Sequence, residues 1–218
     1  MMRDVNAGLY NKGGGKKLNI VLNVLIAVVA VLLLCEVIFV TSFTGVYVVD
    51  KSMQPTLYGA ISKDVAGGDY VYLSRSTKPT YGDIVVVERE NDDPLIKRVI
   101  ALGGDSLKLA SGELYIKYKG TEEFVLVAEP YVLEANNDKN NRKNTFCNTD
   151  EGYFVEEGKV FLMGDNRDVS YDSRDMGAFE QEKIYGVVTD WSLRNKKFFT
   201  SVHKFFTFDL ANCSGGSK

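Results

Sequence analysis

Hydrophobic and polar positions divide the 218-residue chain into two unlike parts. Leu18 to Val40 is a single apolar run in which Asn19, Asn23 and Glu36 are the only polar residues, and Val24 to Cys35 is unbroken. A helix rises about 1.5 Å per residue, so this run covers roughly 34 Å, against a hydrocarbon core of about 30 Å. The pattern predicts a retained, single membrane-spanning helix over 18–40. A cleaved leader fits less well, because its apolar region is typically ~7–15 residues and a small-residue cleavage pattern follows it.

After residue 43 helical periodicity fades. Short runs rich in Val, Ile, Tyr and Phe recur between Gly, Asp and Asn: GVYVV, DYVYLS, GDIVVVER, LIKRVIAL, SLKLA, ELYIKYK, EFVLVA, GKVFLMG and IYGVVTDWSL. That rhythm predicts an antiparallel, mainly β domain. Residues 41–108 and 153–192 read as its core. Residues 109–152, with the polar stretch ANNDKNNRKN (Ala135 to Asn144), read as an inserted subdomain. Residues 193–218 form a tail that mixes paired Phe with Lys. It reads first as a packed terminal element and second as a membrane-surface helix.

Charge adds orientation. Residues 1–17 carry Arg3, Lys12, Lys16 and Lys17 against Asp4, whereas the 20 residues after the span hold one Lys and one Asp. The positive-inside rule therefore predicts a cytoplasmic N-terminus (1–17) and an extracytoplasmic C-terminal part. With 26 basic and 29 acidic residues the net charge is −3, which argues against a nucleic-acid partner. Cys35, Cys147 and Cys213 make neither a disulfide framework nor a metal site by spacing, and no cofactor motif is present. A pairing of Cys147 with Cys213 is open but not required. His203 is the single histidine.

Four islands stand apart from the β rhythm: SMQPTL (Ser52–Leu57), YGDIVVV (Tyr81–Val87), IKRVIALGGD (Ile96–Asp105) and GDNRDVSYDSR (Gly164–Arg174). Each alone is an ordinary turn or strand. Together, in this order and spacing, they resemble the type I signal peptidases, membrane-anchored Ser-Lys proteases that cut signal peptides from exported proteins. The resemblance covers about 43–108 and 153–190 plus the anchor, and its Gram-positive bacterial form is the nearest. It implies a fold that is mainly β, an antiparallel catalytic domain of the signal-peptidase and LexA-like kind with a small inserted subdomain, preceded by one transmembrane helix. Its implied partners are the signal peptides of exported preproteins and the lipid bilayer. Its implied location is the cell membrane.

The chemistry of the islands agrees with the resemblance. A serine hydroxyl is a weak nucleophile until a neighbour takes its proton. No histidine lies near any island, so another side chain must be the base. A lysine serves if burial in an apolar site pulls its pKa towards neutrality. Lys97 sits in the apolar run PLIKRVIAL. Lys51 is nearer to Ser52 in sequence, but in an extended chain residues 51 and 52 point to opposite faces. Ser52 and Lys97 are thus the expected nucleophile and base. By the residue-by-residue match, Arg98 would pair with Asp165, and Ser170 would orient the Lys97 amine. Asp172, Arg174 and Arg167 would hold the GDNRD loop against the strand of Lys97, while Met53 would pack beside the nucleophile. The Ser52 backbone N–H is the expected oxyanion donor.

The chain departs from the family pattern at Asp50, where Gly or Ser is usual, and at Ala101 and Gly103. An ionised Asp50 facing the oxyanion would oppose it. Asp50 is the feature that favours one alternative, a non-catalytic membrane-anchored β-domain that binds peptides or partners. A second alternative, a LexA-like Ser-Lys autoprotease, would need an effector domain for which 1–17 is too short.

Overall fold

The computed structural model describes residues 12–60, 68–90, 92–136, 147 and 151–213. The first eleven residues, the polar stretch beyond Asn136 and the last five residues, on which several of the expectations above fall, lie outside them. So does the side chain of Cys213. The chain forms two compact units, Met1–Ser42 and Phe43–Lys218.

The first unit holds helix α1, Lys12–Ser42. Its stretch Lys16–Ser42 is 27 residues long and apolar enough to cross a membrane, and its side chains are exposed from Lys16 to Thr41. A helix with solvent-exposed Leu, Ile and Val on every side has no protein core to enter, as a lipid-facing span requires.

The second unit contains two antiparallel sheets. The larger has seven strands in the order β1-β2-β11-β3-β4-β9-β10. These are β1 (Phe43–Tyr47), β2 (Tyr70–Ser74), β3 (Ile84–Arg89), β4 (Asp92–Leu102), β9 (Lys159–Met163), β10 (Phe179–Glu180) and β11 (Ile184–Val188). The smaller has the order β7-β6-β5-β8, from β5 (Ser106–Ala110), β6 (Glu113–Lys117), β7 (Val125–Val127) and β8 (Tyr153–Phe154). The β5–β6 hairpin turns through Ser111 (φ 52°) and Gly112 (φ 82°), with Ala110 facing Glu113. Two consecutive left-handed residues make the turn whose twist matches antiparallel strands.

The Val-rich strands are buried on both faces. In β3, Ile84 and Val86 join Val71, Leu73, Ile96 and Val188, while Val85 and Val87 join Val99, Val160, Leu162 and Val187. That explains why β3 reads as a continuous apolar run rather than an alternating one. A third cluster joins the ends of β4 and β9 to the smaller sheet: Ile100, Leu107, Leu114, Ile116, Phe161, Met163 and the fully buried Cys147 belong to it.

Two helices close one edge of the large sheet. Helix α3 (Asp190–Arg194) and helix α4 (Lys196–Cys213) lie on β2. The Tyr72 N–H donates to Ser192 Oγ at 3.1 Å and the Tyr70 N–H to Thr200 Oγ1 at 2.8 Å. The tail is therefore a packed helix along its inner side.

Phe161 is fully buried where the two sheets share their core. Phe161→Ala is expected to destabilise the protein by about 3–5 kcal/mol through lost contact and a residual cavity. Urea denaturation followed by circular dichroism measures this, and a loss below about 1 kcal/mol would mean that the sheets do not share that core.

Candidate active site

The segment after β1 carries Ser52 on a turn held from both sides. Met53 and Leu57 are fully buried in the cluster under β2 and β3, and the Leu57 N–H donates to the Met53 carbonyl at 2.9 Å. The Ser52 carbonyl accepts the Asn166 N–H at 2.9 Å, which ties the turn to the loop after β9. Met53 thus packs directly beside the serine, in the core.

Strand β4 brings Lys97 to the same place. Its register sets Lys97 opposite Val85 and Arg98 opposite Met163. Lys97 Nζ lies 2.9 Å from Ser52 Oγ and donates to the Ile96 carbonyl at 2.9 Å. Ser52 and Lys97 are each 2% exposed. Burial pushes the Lys97 amine down to about 8. The charges of Asp172 and Asp50 pull the other way, and Arg89 and Arg174 add to the lowering. Lys51 is exposed, so the two lysines near the serine differ in environment as well as distance.

The loop Gly164–Arg174 and the short helix α2 (Ser173–Met176) brace the serine turn and strand β4. Arg98 makes a two-pronged ion pair with the fully buried Asp165, Nε to Oδ1 at 2.8 Å and a terminal nitrogen to Oδ2 at 2.6 Å, and donates to the Gly82 carbonyl at 2.7 Å. Asp172 caps α2, accepts the Gly164 N–H at 3.0 Å and binds Arg174 through Nε at 2.9 Å and a terminal nitrogen at 3.0 Å. Burial by itself would raise the Asp172 carboxyl. Arg174, the Gly164 N–H and the Ser170 hydroxyl outweigh it and hold the carboxyl below its ordinary range. Arg174 also donates to the Arg167 carbonyl at 2.9 Å, and Arg167 Nε to the Gly164 carbonyl at 3.0 Å.

Ser170 is fully buried and interacts with Asp172. Its position is fixed by close approach to Gly164: a Cβ at 164 would meet Ser170 Oγ at 2.3 Å and the Ser52 carbonyl at 2.5 Å. Only glycine fits between the Ser170 side chain and the Ser52 backbone.

Asp50 takes the left-handed conformation, φ 76°, and its Oδ1 accepts the Lys51 N–H at 2.6 Å. It is exposed at the rim of a cleft of about 430 Å³ that includes Ser52, Lys97, Val46, Val49, Val86 and Ile96. The carboxylate is thus engaged with the neighbouring N–H and open to water. His203 lies elsewhere: its Nδ1 is 2.7 Å from the Tyr47 hydroxyl and its ring packs on Tyr70.

Three residues of the site are absent from the sequence-level expectation. Glu129 pairs with Arg167, at 3.0 Å through Oε2. Tyr131 lies under the Arg98 guanidinium, 3.9 Å from the ring centre. Asp105 is fully buried and accepts the Tyr81 hydroxyl and the Leu102 and Lys119 N–H groups at 2.8–2.9 Å. Asp105 and Tyr81 lie in two of the islands, so a signal existed. AEPY, which holds Glu129 and Tyr131, has none.

Among the described residues no group of His, Cys, Asp and Glu has the arrangement of a metal site. Known proteins match half of this chain or more. Signal peptidase I of Bacillus amyloliquefaciens is 35% identical over 167 residues, covering 75% of this chain and 80% of that protein. Signal peptidase I S of Bacillus subtilis is 34% identical over 172 residues, covering 75% and 82%. The crystal structure of a signal peptidase I from Enterococcus faecalis aligns with 52% of this chain and 98% of that one at 30% identity and a TM-score of 0.42. The family model described as signal peptidase, peptidase S26, matches residues 18–191, from the apolar helix through both sheets to Trp191, and the chain belongs to that family.

Proposed function

We propose that Ser52 is the nucleophile and Lys97 the general base of a membrane-anchored serine endopeptidase that removes N-terminal signal peptides from exported preproteins. The observation that carries this reading is the 2.9 Å contact between Lys97 Nζ and Ser52 Oγ, with both side chains almost fully buried. The chain is a serine endopeptidase by family, and α1 suits a membrane anchor.

An amine with a pKa of about 8 is neutral in roughly one molecule in ten at pH 7, against about one in three thousand at 10.5. The neutral amine takes the Ser52 proton as Oγ attacks the scissile carbonyl, and the Ile96 carbonyl keeps Nζ aimed. The Ser52 N–H supports the oxyanion. The ammonium then protonates the leaving amine, and water, deprotonated by the same lysine, releases the acyl group. Ser170 and the Asp172 carboxylate position this pair by fixing the Gly164 loop. The peptide binds extended along the apolar cleft, whose Val46, Val49 and Val86 suit small side chains such as Ala at the first and third positions before the cut. The basic segment 1–17 faces the cytoplasm and the catalytic unit lies outside.

Ser52→Ala and Lys97→Ala should each lower kcat for an Ala-x-Ala preprotein by at least about a thousandfold with the circular dichroism spectrum unchanged. Near-normal turnover by folded Lys97→Ala contradicts the assignment.

The sign of the pH effect is fixed by the active form, the neutral amine. The rate constant kcat/KM should climb as pH rises through about 8 and level off above it. The Asp50 charge raises the Lys97 pKa, so Asp50→Ser should move the rise to lower pH, and less so at high salt because Asp50 is exposed. A profile that falls from pH 6 to 9, or a shift to higher pH in Asp50→Ser, contradicts the base or the role of Asp50.

Asp165→Ala leaves Arg98 buried beside Tyr131 without its carboxylate, which should cost about 3–5 kcal/mol. Adding Arg98→Met should recover most of that in urea melts. No recovery in the double variant would mean that the pair does not brace the loop.

A further inference from the structure

Helix α4 lies beyond residues 18–191 matched by the family, and its sides are unequally occupied. Inward, Lys196 reaches Asp69 at 2.9 Å, Phe199 packs on Tyr72, Thr200 accepts the Tyr70 N–H, and His203 meets Tyr47. Outward, Phe198, Val202, Phe205 and Phe206 stand at i, i+4, i+7 and i+8 with exposures of 64, 38, 67 and 64%. That spacing lines up one helical stripe. Lys197, Ser201 and Lys204 fall on a third side and are exposed. Asn195 to Phe206 holds three lysines and no acid, although the whole chain is acidic.

The chain's own course says what meets this stripe. Phe43 is the residue directly after the last of α1 in sequence. Its ring lies 5.6 Å from Trp191, and Trp191 lies 5.4 Å from Phe199 in the first turns of α4. Two ring contacts therefore separate α4 from the point where the chain leaves its span. A stripe of four side chains is too small for a stable protein interface, which buries about 800 Å² on each partner. A tethered surface needs no such area, because the anchor holds it at high effective concentration beside lipid.

We propose that α4 is an interfacial membrane helix: Phe198, Val202, Phe205 and Phe206 enter the headgroup–acyl boundary of an anionic bilayer while Lys197 and Lys204 meet lipid phosphates. Exposed aromatic residues with flanking lysines are the composition such helices use. The lysines add attraction to anionic headgroups that falls with salt. With α1 and α4 both engaged, the catalytic unit has two attachments to the same surface, which limits its rotation over the bilayer.

The test uses the full chain in vesicles of phosphatidylcholine and phosphatidylglycerol, with Phe205→p-benzoylphenylalanine as a photo-crosslinker and Ser201→p-benzoylphenylalanine as the comparison. Both sites are exposed, so neither variant disturbs the core. The substituted 205 position should give lipid adducts by mass spectrometry in at least about fivefold excess over position 201. The yield should drop severalfold in phosphatidylcholine alone or with Lys197→Glu and Lys204→Glu. Equal lipid yields at the two positions overturn the proposal. So does a protein–protein adduct at position 205, which would make a second copy the occupant, and so does indifference to phosphatidylglycerol. No readout depends on peptide cleavage, so its failure leaves the Ser52–Lys97 reading untouched.

Discussion

A lysine amine buried against neutral oxygens is the constraint on which the site depends. Lys97 Nζ hydrogen-bonds the Ser52 hydroxyl and the Ile96 carbonyl. The drop from 10.5 to about 8 corresponds to roughly 3 kcal/mol in favour of the neutral amine. The surrounding cations are treated differently. Arg98, Arg167 and Arg174 are also buried, but each meets a carboxylate, Asp165, Glu129 or Asp172. Guanidinium keeps its charge at any working pH and offers several donors, so it can be buried only with partners. The site thus separates permanent charge, which builds the loop, from the one charge that burial makes easy to give up, the property the proposed general base requires.

That separation explains why the scaffold around Ser52 is so closely held. Met53 and Leu57 sit in the core on one side of the serine, and the Asn166 N–H takes its carbonyl on the other. Gly164 lets Ser170 and the Ser52 backbone approach within a distance that any Cβ would block. A serine on a free loop would trade its contact with the amine for water, and the apolar surroundings that lower the lysine would be lost with it.

Much of this was legible in the sequence. Apolar length alone marked α1, and the repeated short Val-rich runs marked the antiparallel sheets. The Ser52–Lys97 contact and the Arg98–Asp165 pair were legible because these residues lie in short motifs whose order is specific. Glu129 and Tyr131 were not, because they come from a polar connection near β7 and reach the site only through tertiary packing. The conformation of Asp50 was not legible either. A carboxylate two residues before a nucleophile reads as an electrostatic conflict. The left-handed backbone, which Asp tolerates better than most residues, turns Oδ1 onto the Lys51 N–H instead. In the tail, the paired Phe residues showed a helix-sized apolar content, but one sequence period could not tell the ring packed on Tyr72 from the rings left outside.

Burial, on this account, brings the Lys97 pKa close enough to neutrality that about one amine in ten is neutral at pH 7 and half are near pH 8. Titrating the 13Cε chemical shift of Lys97, assigned by its loss in Lys97→Arg, measures that protonation directly and without substrate. A midpoint near 8 is the result this account predicts. A midpoint at the ordinary lysine value of about 10.4 would contradict it, because the neutral amine would then be only about one molecule in three thousand at pH 7.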